Sequence, residues 1–394
     1  MLLPPLLTLA VLLAAAPPDE PVTTRYEALS KEHNDRMAAF FKAYFATEDA
    51  AKRTEISRTM HPDDAAYATR FLALANEDPT GVVTPDALYW VLQLQHDRLQ
   101  PTGRQALDRM ARNYATSPRM GEFLQQMALH PWPGMEELLR DVLARNPDRS
   151  SRGMACFGLA GMMAGHAAIP KLANDPEMAA TFDRMHGPDV MAAILKRDHE
   201  SDHAEAVALH RRVVAEFANV PLFPADPKDP RTLGPFAQRW LDNQDEVGIG
   251  KTAPEIEGRD VDGKPFKLRD FRGKVVVVVF WASWCGPCMA QIPHERELVG
   301  RMAGRPFALL GVNCDHSPAD ARKALDRERI TWPNWYDGDP SAARRNDGPI
   351  RDKYHIQGIP AVFVIDQAGI IRDRDVRGVE LERAVERLLT QPAP

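Results

Sequence analysis

The sequence predicts a multidomain protein: an α-helical N-terminal domain of degenerate helical hairpins, followed by an α/β C-terminal domain. Three observations carry that expectation. From Arg25 to about Asn219, apolar residues recur at three- and four-residue spacing, the period of helices that bury one face. Prolines then crowd the stretch from Pro221 to Pro230 and interrupt the period. Beyond about residue 246, short, nearly continuous apolar runs alternate with helical stretches, the pattern of βαβ units.

The chain has 394 residues, 49 Lys and Arg against 55 Asp and Glu, and 44% hydrophobic residues, enough for two or three domains with ordinary cores. Collagen-like, wholly disordered and disulfide-stapled classes are excluded. A net charge of −6 supplies no global positive field to hold the protein on phosphate backbones, so nucleic acid is not an expected partner. Four cysteines are too sparse for a structural framework, and any disulfide chemistry should be local.

Met1 to Ala16 is almost entirely apolar and ends in three alanines, the layout of a secretory signal with a small-residue cleavage zone. Residues 1–16 are therefore read as a signal peptide and the protein as extracytoplasmic, periplasmic or secreted. Retention of the segment would make it membrane-associated. The start lacks Lys and Arg, Pro17 follows the cleavage zone, and the unbroken run from Leu6 to Ala16 is shorter than the roughly 20 residues of a spanning helix. No later stretch is expected to span a membrane.

Residues 17–220 form the helical domain. Phe71, Leu72 and Leu74, then Met135, Leu138, Leu139, Val142 and Leu143, mark buried stripes. Asn and Pro at Asn76 to Pro79, Asn113 to Pro118, Asn146-Pro147 and Asn174 to Pro176 stop and turn the helices at unequal intervals, so no clean repeat is expected. Ten of the 15 Met lie between Met110 and Met191, near His130, His166 and His186. Because Met fills irregular cores, packing is favoured over copper handling. His199-Glu200-Ser201-Asp202-His203 has the spacing of a zinc-protease helix, but its charged neighbours Lys196, Arg197, Asp198 and Glu205 and the lack of an evident third ligand favour a solvated helix. No metal site is assigned. Cys156, within the apolar stretch Met154 to Ala164, reads as core. The domain is assigned to partner binding or to positioning of the C-terminal domain.

Residues 221–245 read as a Pro-rich linker with a short helix around Phe236 to Leu241, and 246–391 as the α/β domain. Lys274 to Ala282, with five consecutive valines, Phe307 to Cys314 and Ala361 to Ile365 are strand candidates, their near-continuous apolar character suiting parallel strands covered on both faces. Cys288 to Met302 is helical between the first two. At Ser317-Pro318-Ala319-Asp320, Ser caps a helix, Pro takes its first position and Asp meets its positive end. Gln367-Ala368-Gly369 reads as a hairpin turn and Leu381 to Leu389 as a closing helix.

Cys285-Gly286-Pro287-Cys288 stands where the valine strand ends and a helix begins. Two thiols across a first helical turn can close and reopen a small disulfide ring with little backbone movement. The unpaired N–H groups and positive dipole of the helix start favour thiolate at Cys285, so Cys285 should attack and Cys288 resolve. A zinc half-site or a static disulfide is the bland alternative, but no second paired-Cys motif completes four ligands, and the strand-turn-helix context is the one in which the motif signals redox work.

Phe280-Trp281-Ala282-Ser283-Trp284-Cys285-Gly286-Pro287-Cys288 resembles the active-site signature of the thioredoxin superfamily. With Asp262-Gly263-Lys264 and Phe271-Arg272-Gly273-Lys274 ahead of it, the stretch is similar to TlpA/ResA-like thiol-disulfide oxidoreductases. Pro293 matches the family's helix-kinking proline, and Gly358-Ile359-Pro360 its cis-proline loop. The resemblance implies a thioredoxin-like fold over about residues 246–391. It also implies a redox-active Cys285–Cys288 disulfide with no other cofactor, and substrate docking by Trp284, Gly286, Pro287, Ile359 and Pro360. Implied partners are protein thiols and disulfides, together with a membrane or extracytoplasmic electron donor.

Departures accompany the match. Where thioredoxins carry a buried Asp six residues before the first Cys, this chain has Val279. The partner Lys position aligns with Gly311, and the Glu found three residues after the second Cys in many relatives is Gln291. Losing both members of a buried ion pair together is physically coherent. Glu295 or His294, further along the helix, could substitute through water but read as solvated groups. Cys314, ending the second strand at the dithiol edge, is a possible accessory thiol, though a buried small residue is the commoner reading. A peroxidase is disfavoured, since Ala282 and Val278 occupy the Thr and Pro positions of the Pro-x-x-x-Thr-x-x-Cys pattern. The rival class is a scaffold protein whose helical domain carries the function beside a weakly active redox lobe.

Overall fold

The computed structural model describes residues 20–95, 98–128, 130–173, 176–223, 226, 228–338, 348–356 and 358–390. The expected signal segment, 1–16, lies outside them. Main-chain proximity divides the chain into two compact units, 1–115 and 116–394.

The first unit contains α1 (Val22–Phe45), α2 (Ala50–Met60), α3 (Asp64–Glu77), α4 (Thr84–Gln93) and α5 (Pro101–Tyr114). Asp49 caps α2 by accepting the N–H groups of Ala51 and Lys52, and Asp63 caps α3 at Ala66. The Phe71 ring stacks on Trp90 with centroids 5.0 Å apart, and Tyr67, Leu88, Leu92 and Leu107 are buried with Phe71. Glu32 clamps α1 to α3, accepting from the Tyr67 hydroxyl at 2.7 Å and from Arg70 at 2.8 Å.

The second unit opens with α6 (Met120–Met127), α7 (Met135–Arg145), α8 (Arg149–Ala173), α9 (Pro176–His186), α10 (Pro188–Leu195), α11 (His199–Glu216) and α12 (Leu233–Val247). α8 is the central helix, packed on α6, α7 and α11. Gly158 permits the approach, since a Cβ there would stand 2.5 Å from that of Ala128. Met120, Met127, Met135, Met154 and Met163 fill this core together with Cys156. One expectation is corrected: Arg149–Pro170 is long and apolar enough to cross a membrane by length and composition. Here half of that helix is buried by neighbouring helices, so its hydropathy reflects a core position. The HExxH stretch forms the start of α11, and Asp202 within it turns inward to Arg197 at 2.7 and 2.8 Å. The helix expected around Phe236 to Leu241 extends to the full span of α12, which packs on α11 through the stacked rings of His210 and Trp240, 4.0 Å apart. Asn243 of α12 donates to the Tyr354 carbonyl at 3.0 Å and accepts from Arg374 at 2.6 Å.

The α/β part runs β1 (Glu257–Arg259), β2 (Pro265–Lys267), β3 (Val275–Trp281), α13 (Gly286–Arg301), β4 (Phe307–Asn313), α14 (Pro318–Arg327), β5 (Asn334–Tyr336), α15 (Pro349–Lys353), β6 (Ala361–Ile365), β7 (Ile371–Arg374) and α16 (Gly378–Thr390). β1 and β2 form a small hairpin. The main sheet has the order β5-β4-β3-β6-β7. β3, β4 and β5 are parallel, as the βαβ pattern predicts. β6 is not: it pairs antiparallel with β3, and β7 antiparallel with β6. An apolar run encodes burial on both faces but not direction, which the preceding loop sets by entering the sheet at the end where β3 leaves it. Every residue of β3 and β6 is buried, and α13 and α16 pack together beside them.

Candidate functional site

The antiparallel pairing of β6 builds the site. Phe280 lies opposite Ala361, so the chain just after β3 and the chain just before β6 emerge side by side. The first carries Cys285 and the second carries Pro360, preceded by a cis Ile359–Pro360 peptide bond. Cys285 Sγ lies 3.8 Å from the Ile359 carbonyl oxygen.

Cys285 and Cys288 are joined by a disulfide, and Cys285 is the N-cap of α13. Its Sγ receives the Cys288 N–H at 3.2 Å, the orphan donor that a helix start offers to anionic sulfur. Cys285 is 5% exposed and Cys288 2%, so the first is the more exposed of two buried cysteines. Around it Trp284 is 51% exposed, its ring stacked over His316 at 5.9 Å. Gly286 and Pro287 are exposed, and Ile359 and Pro360 are partly so. The five expected docking residues therefore lie on two adjoining segments, Trp284 to Pro287 leading into the first turn of α13 and Ile359–Pro360 before β6.

The dithiol turn is held by a carboxylate outside the Cys285–Cys288 motif. Asp315 is buried and its carboxylate accepts from the Ser283 N–H at 3.0 Å, the Ser283 hydroxyl at 2.7 Å and the Asn313 side chain at 2.8 Å. The turn two residues before Cys285 is thus fixed by the loop after β4. Its sequence signal was only a polar pair, Asn313 and Asp315, flanking Cys314 at the end of an apolar strand. Arg377 adds a second tie, donating to the Pro360 carbonyl at 3.4 Å.

Val279 and Gly311 stand opposite each other in the β3–β4 register, both inside the sheet. Gly311 is required there: a Cβ would overlap the Asn334 carboxamide, whose oxygen accepts from Trp281 Nε1 at 2.8 Å. The Trp281–Asn334 hydrogen bond beside Gly311 is neutral. Cys314 follows β4, its N–H donating to the Trp281 carbonyl at 2.8 Å, and burial pushes its thiol up to about 12. At neutral pH it is a protonated thiol. Glu295, read from sequence as solvated, is buried, and burial raises its carboxyl to about 8. The helix period explains the correction, since Ile292, Glu295 and Leu298 fall on the buried face of α13. Glu295 stands two turns beyond Cys288, about 10 Å along the axis at 1.5 Å per residue.

A dithiol capping a helix beside a cis-proline loop, on a sheet of this order, defines a thioredoxin-like thiol-disulfide oxidoreductase. Residues 249–374 match the AhpC/TSA family model. The chain is 30% identical over 126 residues to the thiol-disulfide oxidoreductase ResA of Geobacillus thermodenitrificans, a match covering 32% of this chain and 68% of the relative. It is 25% identical over 157 residues to ResA of Bacillus cereus, covering 40% and 86%. Among solved structures it is similar to the thioredoxin domain of a thiol-disulfide oxidoreductase from Bacteroides vulgatus, at 27% identity and a TM-score of 0.33 over 36% of this chain and 98% of that one. By its C-terminal part, the chain belongs to the ResA-like thiol-disulfide oxidoreductases.

Proposed function

We propose that the protein is an exported enzyme that exchanges electrons with the thiols and disulfides of other proteins through Cys285 and Cys288. The observation that carries this is the Cys285 sulfur at the N-cap of α13, accepting the Cys288 N–H beside the cis-proline loop. In the reduced enzyme the Cys285 thiolate attacks a partner disulfide, forming a mixed disulfide and releasing one partner thiolate. The Cys288 thiolate then attacks Cys285 Sγ, closing the ring and releasing the second partner thiolate. The two electrons pass from the dithiol to the partner, and the Cys288 proton passes to solvent. Oxidation of a partner dithiol is the same path in reverse. Trp284, Gly286, Pro287, Ile359 and Pro360 dock the partner chain, and an extracytoplasmic or membrane thiol protein restores the dithiol. The apolar Met1 to Ala16 segment supports export. Reduced Cys288→Ser protein, incubated with intact insulin, whose chains are joined by disulfides, is expected to accumulate a covalent adduct through Cys285 that dithiothreitol releases. No adduct would sink the proposal and leave the scaffold reading.

A further inference from the structure

The cis-proline loop is also one wall of a groove of about 900 Å³. Helical residues line the same groove: Ala168 of α8, Val207 and Arg211 of α11 and Trp240 of α12, with Ile249 just after α12. We propose that this groove receives the extended polypeptide segment flanking the reacting cysteine of a protein partner, so that the helical layer helps to select which disulfides are exchanged. The inference rests on the thiol-disulfide reading above and deepens it.

Chemistry fixes where such a partner must lie. Its sulfur bonds to Cys285, which is 3.8 Å from the Ile359 carbonyl, so its chain passes close to Ile359, whose neighbours Gly358 and Pro360 line the groove. The β3–β6 ladder begins at Ala361. Among the described residues, Gly358 and Ile359 donate no hydrogen bond, leaving main-chain donors that an extended segment can satisfy by strand-like pairing. Ala168 and Ile249 in the lining are exposed, Ile249 at 57%, and offer apolar surface to a partner side chain. Arg211 also lines the groove, is exposed and, among the described residues, forms no ion pair, which suits an acidic side chain on the segment. The volume far exceeds one side chain, so a small disulfide would leave most of the groove empty.

The test uses the full-length protein and two probes: glutathione disulfide, and a disulfide-linked peptide homodimer with leucine beside its cysteine and aspartate three residues further on. Wild type and the Ala168→Glu, Val207→Glu and Arg211→Glu variants are compared by the ratio of kcat/KM for the peptide to that for glutathione disulfide. The expected result is a fall in that ratio of about tenfold in each variant, carried by KM. Arg211→Glu should recover when the peptide aspartate is replaced by lysine. Arg211→Glu alters only an exposed side chain, so its result stands even if a wall variant unfolds. Ratios within about twofold of wild type, with no charge-swap recovery, would overturn the proposal while leaving the oxidoreductase reading intact. Wild type that exchanges with neither probe would overturn both.

Discussion

At the scale of single residues, the site depends on a buried carboxylate that touches neither sulfur. Asp315→Ala would leave the Ser283 N–H and hydroxyl and the Asn313 amide without their acceptor, at about 1–3 kcal/mol for each stranded donor. Urea unfolding of the oxidised protein should therefore show a loss of about 3 kcal/mol, with Asp315→Asn recovering part of it. Glu295 gives a prediction in pH. Its folded-state pKa of about 8 lies above the ordinary carboxylate value, so the folded state holds the proton more tightly than the unfolded chain does. The stability this contributes is full below the ordinary carboxylate range and is lost as pH rises to about 8. Glu295→Gln should therefore be more stable than wild type at pH 8.5 and nearly equal to it at pH 4. The expected gain is a few kcal/mol, at about 1.4 kcal/mol for each tenfold difference in proton affinity between the folded and unfolded states. Denaturation midpoints at the two pH values check the sign. The two cysteines and Pro360 were legible in the sequence because each lies in a short local pattern. Asp315 was not, because its partner Ser283 lies on a different strand-end loop and only the parallel register of β3 and β4 brings them together. Glu295 was misread by residue type, when its place on the helix period already put it with Ile292 and Leu298.

At the scale of elements, the strands and helices of the α/β part follow from apolar runs, caps and turn residues, whereas the direction of β6 does not. That direction decides the site, because only an antiparallel β6 starts beside the end of β3. Inside the sheet, Gly311 is set by contact. Gly311→Ala should displace Asn334, break its hydrogen bond to Trp281 and cost about 2–4 kcal/mol, the range for forced repacking with a lost buried bond. Thermal unfolding would register it. The Gly311→Ala/Asn334→Gly double variant should recover part of the loss by making room for the methyl. In the helical layer, the apolar period read from Arg25 to about Asn219 matches the helices of the described residues there, and the Asn and Pro breaks mark many of their ends. The reach of α12 was hidden. Its C-terminal residues contain Asn243, whose role is a tertiary hydrogen bond to Tyr354 and Arg374 that no local period encodes.

At the scale of the whole molecule, composition excluded nucleic-acid binding as an expectation, and the thioredoxin-like part was readable because four separated patterns occurred in order. The helical residues were readable as helices but not as a functional surface, since a groove wall is assembled from α8, α11 and α12 with no sequence pattern of its own. The central claim is that Cys285 and Cys288 form an exchangeable pair. Equilibrating the protein in glutathione buffers and counting alkylated thiols tests it directly. The account predicts one two-electron transition, between about −270 and −120 mV, the span from thioredoxin to a strong disulfide donor. It should alkylate Cys285 and Cys288 together, while the buried Cys156 and Cys314 remain unmodified until the protein unfolds. A dithiol that shows no transition across that span, or one in which Cys314 replaces either residue, would contradict it.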